Sequence, residues 1–264
     1  MTQAESIIQA RDAFVATHGP WTGHRIHLGH EVYTCDANRV YCLEHRIPLH
    51  LQIMADFGFR DLTGHRILDL GCLEGAFSIE FARRGAWCQG IDARPTNIAH
   101  ARFAAALIGL GKRAEFFEMD VRDFGELGKF TIVLCAGILY HLTADDAISV
   151  LQQIAAAGPV LTVIDTHTAP RELRQNRFNL SEMASVTVGD QMYRGRWYPE
   201  FPAGLTKRGK EVYSTGSAID NEQSFWFTPS DLRRAVESVG FRVYEALQSE
   251  DRTVIAGVKD GLAL

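Results

Sequence analysis

The chain predicts an α/β fold, a doubly wound and mostly parallel sheet of seven strands flanked by helices. Three observations carry this expectation. Residues Arg66 to Asp92 read as a strand, a glycine turn, a helix and a second strand closed by an acid. Beyond them, short apolar runs keep alternating with helical patterns as far as Asp165. Near the C-terminus a capped helix precedes two further strand runs.

In the first of these units the run Ile67-Leu68-Asp69-Leu70 breaks at Gly71. Ala76, Phe77, Ile79, Phe81 and Ala82 then recur at helical spacing, and the run Ala86 to Ile91 ends on Asp92. Gly71 and Gly75 let the backbone pass close to a ligand, and the next helix points its free amides at that place. A carboxylate at Asp92 can accept from both hydroxyls of a ribose. A nucleoside cofactor follows from these features. The glycine spacing narrows it, because a dinucleotide needs a glycine where its pyrophosphate approaches. Here that position is Leu73, followed by Glu74, which would repel a pyrophosphate and tolerate the ammonium of an amino-acid tail.

The stretch Asp69-Leu70-Gly71-Cys72-Leu73-Glu74-Gly75 resembles the first motif, D-x-G-C-x-x-G, of the class I S-adenosylmethionine-dependent methyltransferases. The resemblance covers Leu62 to Gly137 and, more loosely, the C-terminal strands. It implies a Rossmann-like methyltransferase fold with S-adenosyl-L-methionine as cofactor. The cofactor residues it implies are Asp69, Gly71, Cys72, Leu73, Gly75, Asp92, Ala93, Asp120, Val121, Cys135 and Ala136.

Taken in order, Ala4 to Thr17 forms an amphipathic helix. His18 to Asn38 is polar and loop-like, and its His24, His27 and His30 admit either a metal or simple loop histidines. The resemblance implies an N-terminal lid, with Tyr33 and Arg39 over the cofactor. Leu49 to Phe59 forms a second helix with Pro48 in its first turn. The lid is expected to span 1–61 and the methyltransferase core 62–264.

After Pro95 an apolar-periodic helix runs from Thr96 to Leu110, and Ala114 to Met119 forms the third strand. Asp120 ends it, either as the family's adenine contact or as a helix cap. Phe130 to Cys135 forms the fourth strand, followed by Gly137-Ile138-Leu139-Tyr140-His141. This segment resembles the fourth motif of small-molecule methyltransferases and of the tRNA wobble-uridine carboxymethyltransferases. Cys135 stands where catechol-type enzymes carry a metal-binding acid, so no metal is expected.

Asp145 to Ala157 is a helix and Pro159 to Asp165 the fifth strand, which leaves His167 on the same rim as His141. Between residues 168 and 224 the alternation fails, leaving aromatic and glycine-rich sequence that reads as a substrate lid. Thr228-Pro229-Ser230-Asp231 caps a helix ending near Gly240, and Phe241–Leu247 and Thr253–Val258 close the sheet.

Methyl transfer is an in-line displacement in which positioning supplies much of the rate. An oxygen nucleophile also needs a base, and an amine must arrive unprotonated. His141 and His167 are the candidate bases and Tyr140 a positioning group, although His141 could simply brace its loop. The expected reaction is metal-independent transfer to an oxygen or nitrogen of a small molecule. The aromatics of the lid suggest an aromatic acceptor or the lid's own small core. Two other readings stand beside this one: a tRNA-modifying carboxymethyltransferase and a non-catalytic cofactor-binding homologue.

A formal charge of −5, and eight basic against seven acidic residues in 168–224, argue against a nucleic-acid footprint. No stretch reaches the ~18 apolar residues of a membrane span. The N-terminus lacks the pattern of a secretory signal. Five cysteines without a C-x-x-C pair suggest neither a zinc site nor a disulfide framework, and a cytoplasmic location is expected.

Overall fold

The computed structural model describes residues 1–36, 43–173, 176–201 and 217–259. The chain divides into two compact units, Met1–Asp120 and Val121–Leu264. Arg39 lies outside the described residues.

In the first unit, β3 (Arg66–Leu70), β4 (Trp87–Asp92) and β5 (Ala114–Glu118) run parallel, with Cys88 opposite both Ile67 and Ala114. Ile67, Leu68, Leu70 and Ile91 are completely buried, as strands covered on both faces require. Helices α3 (Ala76–Arg83) and α4 (Pro95–Leu107) connect them. Helix α1 (Gln3–His18) starts at a capping box between Thr2 and Glu5, and its Phe14 stacks on Phe103 of α4 at 4.2 Å. The stretch expected as loop contains a short hairpin, β1 (His27–Gly29) and β2 (Val32–Tyr33). Helix α2 (Ile47–Asp56) carries Pro48 in its first turn.

In the second unit, β6 (Ile132–Ala136) and β7 (Leu161–His167) are parallel and joined by α5 (Ala144–Ala157), capped by the Thr143 side chain. The unit closes with α6 (Pro229–Ser238), β11 (Arg242–Gln248) and β12 (Arg252–Val258), where β12 is antiparallel to both β7 and β11. The strand order of the seven-stranded sheet is β11-β12-β7-β6-β3-β4-β5. Its strands lie within two residues of their predicted bounds, and the doubly wound α/β expectation holds.

The 168–224 stretch departs from expectation. It contains a hairpin of β8 (Ala184–Val188) and β9 (Gln191–Pro199), turned at Gly189-Asp190, and β9 pairs antiparallel with β10 (Gln223–Phe227). Two residues of β9 hide this from pattern reading. Gly195 interrupts the strand because a Cβ there would lie 2.2 Å from the Trp226 carbonyl oxygen and 2.6 Å from the Phe225 ring. Arg196 is a cation at a core position, 4% exposed. Its guanidinium donates to the carbonyls of Pro170 (3.1 Å), Ser181 (2.8 Å) and Arg171 (3.2 Å).

Replacing Gly195 by alanine should therefore cost about 1–3 kcal/mol, because the added methyl meets backbone rather than a side-chain tip. Urea unfolding of Gly195→Ala beside the wild type checks this. An unchanged midpoint would show that β9 and β10 separate freely.

Candidate active site

In the first unit the candidate residues gather on the loop between β3 and α3. Gly71 (φ 64°) and Gly75 (φ 84°) take left-handed conformations, and so does Leu73 (φ 50°). For leucine that backbone costs about 1–2 kcal/mol and needs holding from outside. Its N–H donates to Asp92 Oδ2 at 3.1 Å. Asp92 Oδ1 accepts from Arg94 N (2.9 Å) and Asn97 Nδ2 (3.0 Å). Burial raises the Asp92 pKa, and these donors oppose the rise. Ala93 follows in the turn, half-buried.

Asp69 stands one layer behind. It is 2% exposed and accepts from Ser78 Oγ of α3 at 2.7 Å, so it ties strand to helix. Burial pushes its carboxyl up to about 7. Cys72 is equally buried, and burial pushes its thiol up; its N–H donates to Ile91 O at 2.8 Å.

Glu74 faces the N-terminal segment. Its carboxylate accepts from the backbone N–H groups of Thr22 (2.6 Å), Gly23 (3.0 Å) and His24 (2.7 Å). His24 in turn accepts from Ala76 N through Nδ1 at 3.3 Å, and burial pushes its pKa down to about 3. That imidazole is engaged with a helix end, and among the described residues no three His, Cys, Asp or Glu side chains gather as a metal group. The Tyr33 ring lies under the Arg25 guanidinium at 3.4 Å.

The second unit brings Tyr140, His141 and His167 together. His141 sits in a 3-10 turn, Leu139–His141, with Nδ1 3.0 Å from both carboxylate oxygens of Glu200. The Glu200 side chain is 0% exposed and accepts a second bond from Ala218 N at 2.9 Å. A carboxylate facing Nδ1 assigns the imidazole proton to that nitrogen, so Nε2 is the basic one. His167 donates through Nδ1 to Asp251 O at 2.9 Å and stacks on Trp226 at 4.8 Å. Tyr140 meets the His167 ring edge-on at 4.7 Å, and its carbonyl accepts from Trp226 Nε1 at 2.9 Å. Phe178 and Tyr198 also lie on the buried Trp226, at 5.1 and 5.0 Å. Asp165, at the same strand end, is buried and accepts from Arg252 Nε at 2.6 Å. Val121 and Cys135 are buried and Ala136 is half-buried.

Glu200 was not among the residues singled out from sequence. It follows Tyr198-Pro199 at the end of β9 and looks there like any loop acid. A strand assignment for β9 is the signal that would have placed it on this rim.

Residues 67–157 match the methyltransferase domain family. A ubiquinone biosynthesis O-methyltransferase of Rhodopseudomonas palustris (strain TIE-1) is 30% identical over 166 residues, 59% of this chain and 61% of that protein. The chain thus spans about three fifths of the length of this relative. A magnesium-protoporphyrin O-methyltransferase of Synechocystis sp. is 28% identical over 97 residues, 36% of this chain and 41% of that protein. Among solved structures, the N-terminal domain of EvdMO1, crystallised with SAH and D-fucose, superposes with a TM-score of 0.67. It is 22% identical, covering 98% of this chain and 97% of that one.

Sheet order, glycine loop and strand-end acid agree with the match of residues 67–157 to the methyltransferase domain.

The buried acid and imidazole of the first unit have opposite pH signatures. Asp69 holds its proton up to about 7 when folded against an ordinary 3.8, so its contribution to stability falls as pH rises between those values. His24 stays neutral down to about 3 against 6.5, so its contribution rises with pH in that window. Asp69→Asn keeps an acceptor for Ser78 and removes the falling contribution alone. Denaturant titrations should show the variant gaining on the wild type from about pH 4.5 to about pH 7. Parallel profiles would mean that Asp69 does not titrate there.

Proposed function

We propose that the protein moves the methyl group of S-adenosyl-L-methionine to a hydroxyl oxygen of a small molecule. The His141–Glu200 pair carries this reading. A hydroxyl must lose its proton as it attacks, and His141 Nε2 is the base that takes it. Glu200 is the positioning residue, holding the tautomer and stabilising the imidazolium that forms. An amine acceptor, arriving neutral, would draw less from such a pair. The names of the two curated relatives, both O-methyltransferases, support transfer to oxygen.

The cofactor, when bound, supplies a methyl group made electrophilic by its sulfonium. The loop from Gly71 to Gly75, with Cys72 and Leu73 contributing backbone, is the part of the chain that holds it. Asp92 Oδ2 takes one donor, from Leu73, and can accept a ribose hydroxyl beside it. Ala93 and Asp120 of the same unit share this binding role, Asp120 at the adenine. Asp69 supports the loop from behind.

Tyr140, His167, Phe178 and Tyr198, gathered on Trp226, suit an acceptor with a flat apolar face, an aromatic ring before all. A sugar is the second class, since the EvdMO1 domain was crystallised with D-fucose. We place the enzyme in the cytoplasm: Cys35, Cys72, Cys88 and Cys135 are free thiols, and no described helix is long and apolar enough to cross a membrane.

Calorimetric titration with S-adenosylmethionine and S-adenosylhomocysteine tests the class, and demethylated-cofactor release with phenols and sugars tests the acceptor. Asp92→Ala should weaken cofactor binding by about 1.5–3 kcal/mol, and unchanged affinity would remove it from the site. His141→Ala should lower kcat by about 10²-fold or more, with Glu200→Gln following in the same direction and cofactor affinity retained. His167→Ala should move the acceptor KM instead. With a side chain as base, a chelator should leave turnover intact.

A further inference from the structure

Resting on the reading that the Gly71–Gly75 loop holds S-adenosylmethionine, we propose that Glu74 is a positioning residue through which the N-terminal segment sets cofactor affinity. The loop contains a leucine in a left-handed conformation, so something outside it must fix its shape. Asp92 holds the Leu73 N–H from one side. The segment Thr22-Gly23-His24 holds the next residue from the other.

The Glu74 carboxylate is 2% exposed. A charge so buried is tolerable only when its lone pairs are filled. Three successive backbone N–H groups and the Thr22 hydroxyl (3.2 Å) fill them. This is the concave arrangement of amides by which a chain binds an anion, and the anion is the loop's own side chain. The interlock also runs the other way, because His24 Nδ1 accepts the Ala76 N–H, the first amide of α3. The segment also packs on the loop, since a Cβ on Gly23 would lie 2.2 Å from Leu73 Cδ2 and a side chain there must displace the end of that leucine.

Glu74 has its acceptor positions taken by protein donors, so its effect on the cofactor runs through Leu73 and the start of α3. Loss of the carboxylate orphans three amides and frees Leu73 to leave its strained conformation. By linkage the coupling is reciprocal: cofactor binding must tighten residues 22–24 as much as the segment tightens the cofactor.

The test is calorimetry with S-adenosylhomocysteine on Glu74→Ala, Glu74→Gln and Gly23→Val, with hydrogen exchange on the wild type. Gly23→Val leaves Glu74 in place and pushes the segment off Leu73. All three should bind at least about tenfold more weakly, Glu74→Gln least affected because it keeps one acceptor oxygen. Saturating ligand should slow exchange of the Thr22, Gly23 and His24 amides in the wild type. A merely structural Glu74 would lower melting temperature without either effect. Wild-type binding with unchanged variants, or weakening confined to the Glu74 variants while Gly23→Val binds normally, overturns the proposal. Where Glu74→Ala does not fold, Gly23→Val decides. A wild type that does not bind S-adenosylhomocysteine overturns the cofactor reading itself.

Discussion

The constraint on which the glycine loop of the first unit depends is the approach of the α3 N-terminus to its neighbours at Gly75. A Cβ there would stand 2.8 Å from the Ala101 methyl on α4 and 2.8 Å from the Phe116 ring on β5. Gly90 on β4 faces the same ring, and a Cβ there would lie 2.7 Å from it and 2.9 Å from Cys72 Sγ. Two glycines thus let one phenylalanine pack against helix, strand and loop together. That packing sets where the first turn of α3 points and where the chain leaves β3, so the geometry of the loop is inherited from the core beneath it.

Upon that base the unit distributes its carboxylates by donors rather than by countercharges. Asp69 takes the hydroxyl and the backbone amide of Ser78, Asp92 two backbone amides and a side-chain amide, Glu74 three backbone amides and a hydroxyl. Burial raises all three, most definitely Asp69, where the Ser78 hydroxyl and backbone amide oppose the rise and the Asp92 carboxylate adds to it. The acid with the largest donor set is tied to another part of the chain. The acid that keeps accepting capacity is the one at the strand end, where a ribose would approach. Backbone donors cannot swing away as a lysine can, so such acids hold direction as well as charge.

The doubly wound core was legible because its signals are local. Apolar runs of five or six residues, the first broken by Gly71, can mean little else when helical periods lie between them. Asp92 was legible for the same reason, as the acid closing the second run. The 168–224 stretch was not, although Gly189-Asp190 between two polar-apolar runs is a hairpin signal. A strand carrying Gly195 and Arg196 at its centre breaks the alternation, and both residues make sense only against Trp226 and the carbonyls of 170–181. Glu74 shows the same limit in another form. The sequence identifies an acid in a glycine loop, and the partner that explains it stands fifty residues earlier, in backbone amides that no residue type announces.

The two candidate histidines of the second unit separate on physical grounds. Both have Nδ1 engaged, His141 with a buried carboxylate and His167 with a main-chain carbonyl. A carbonyl fixes the tautomer, but only a charged acceptor gains strength as the ring becomes cationic. His141 therefore has the environment of a base that must become an imidazolium in the transition state. His167, stacked on Trp226 with Tyr140 and Phe178 against it, has the environment of a wall. Glu200 leaves β9 and His141 lies in the turn after β6, so the pair forms only when the antiparallel insertion has folded onto the second unit. The insertion then contributes more than cover: without it the turn still presents an imidazole, but one with no carboxylate to hold its charge.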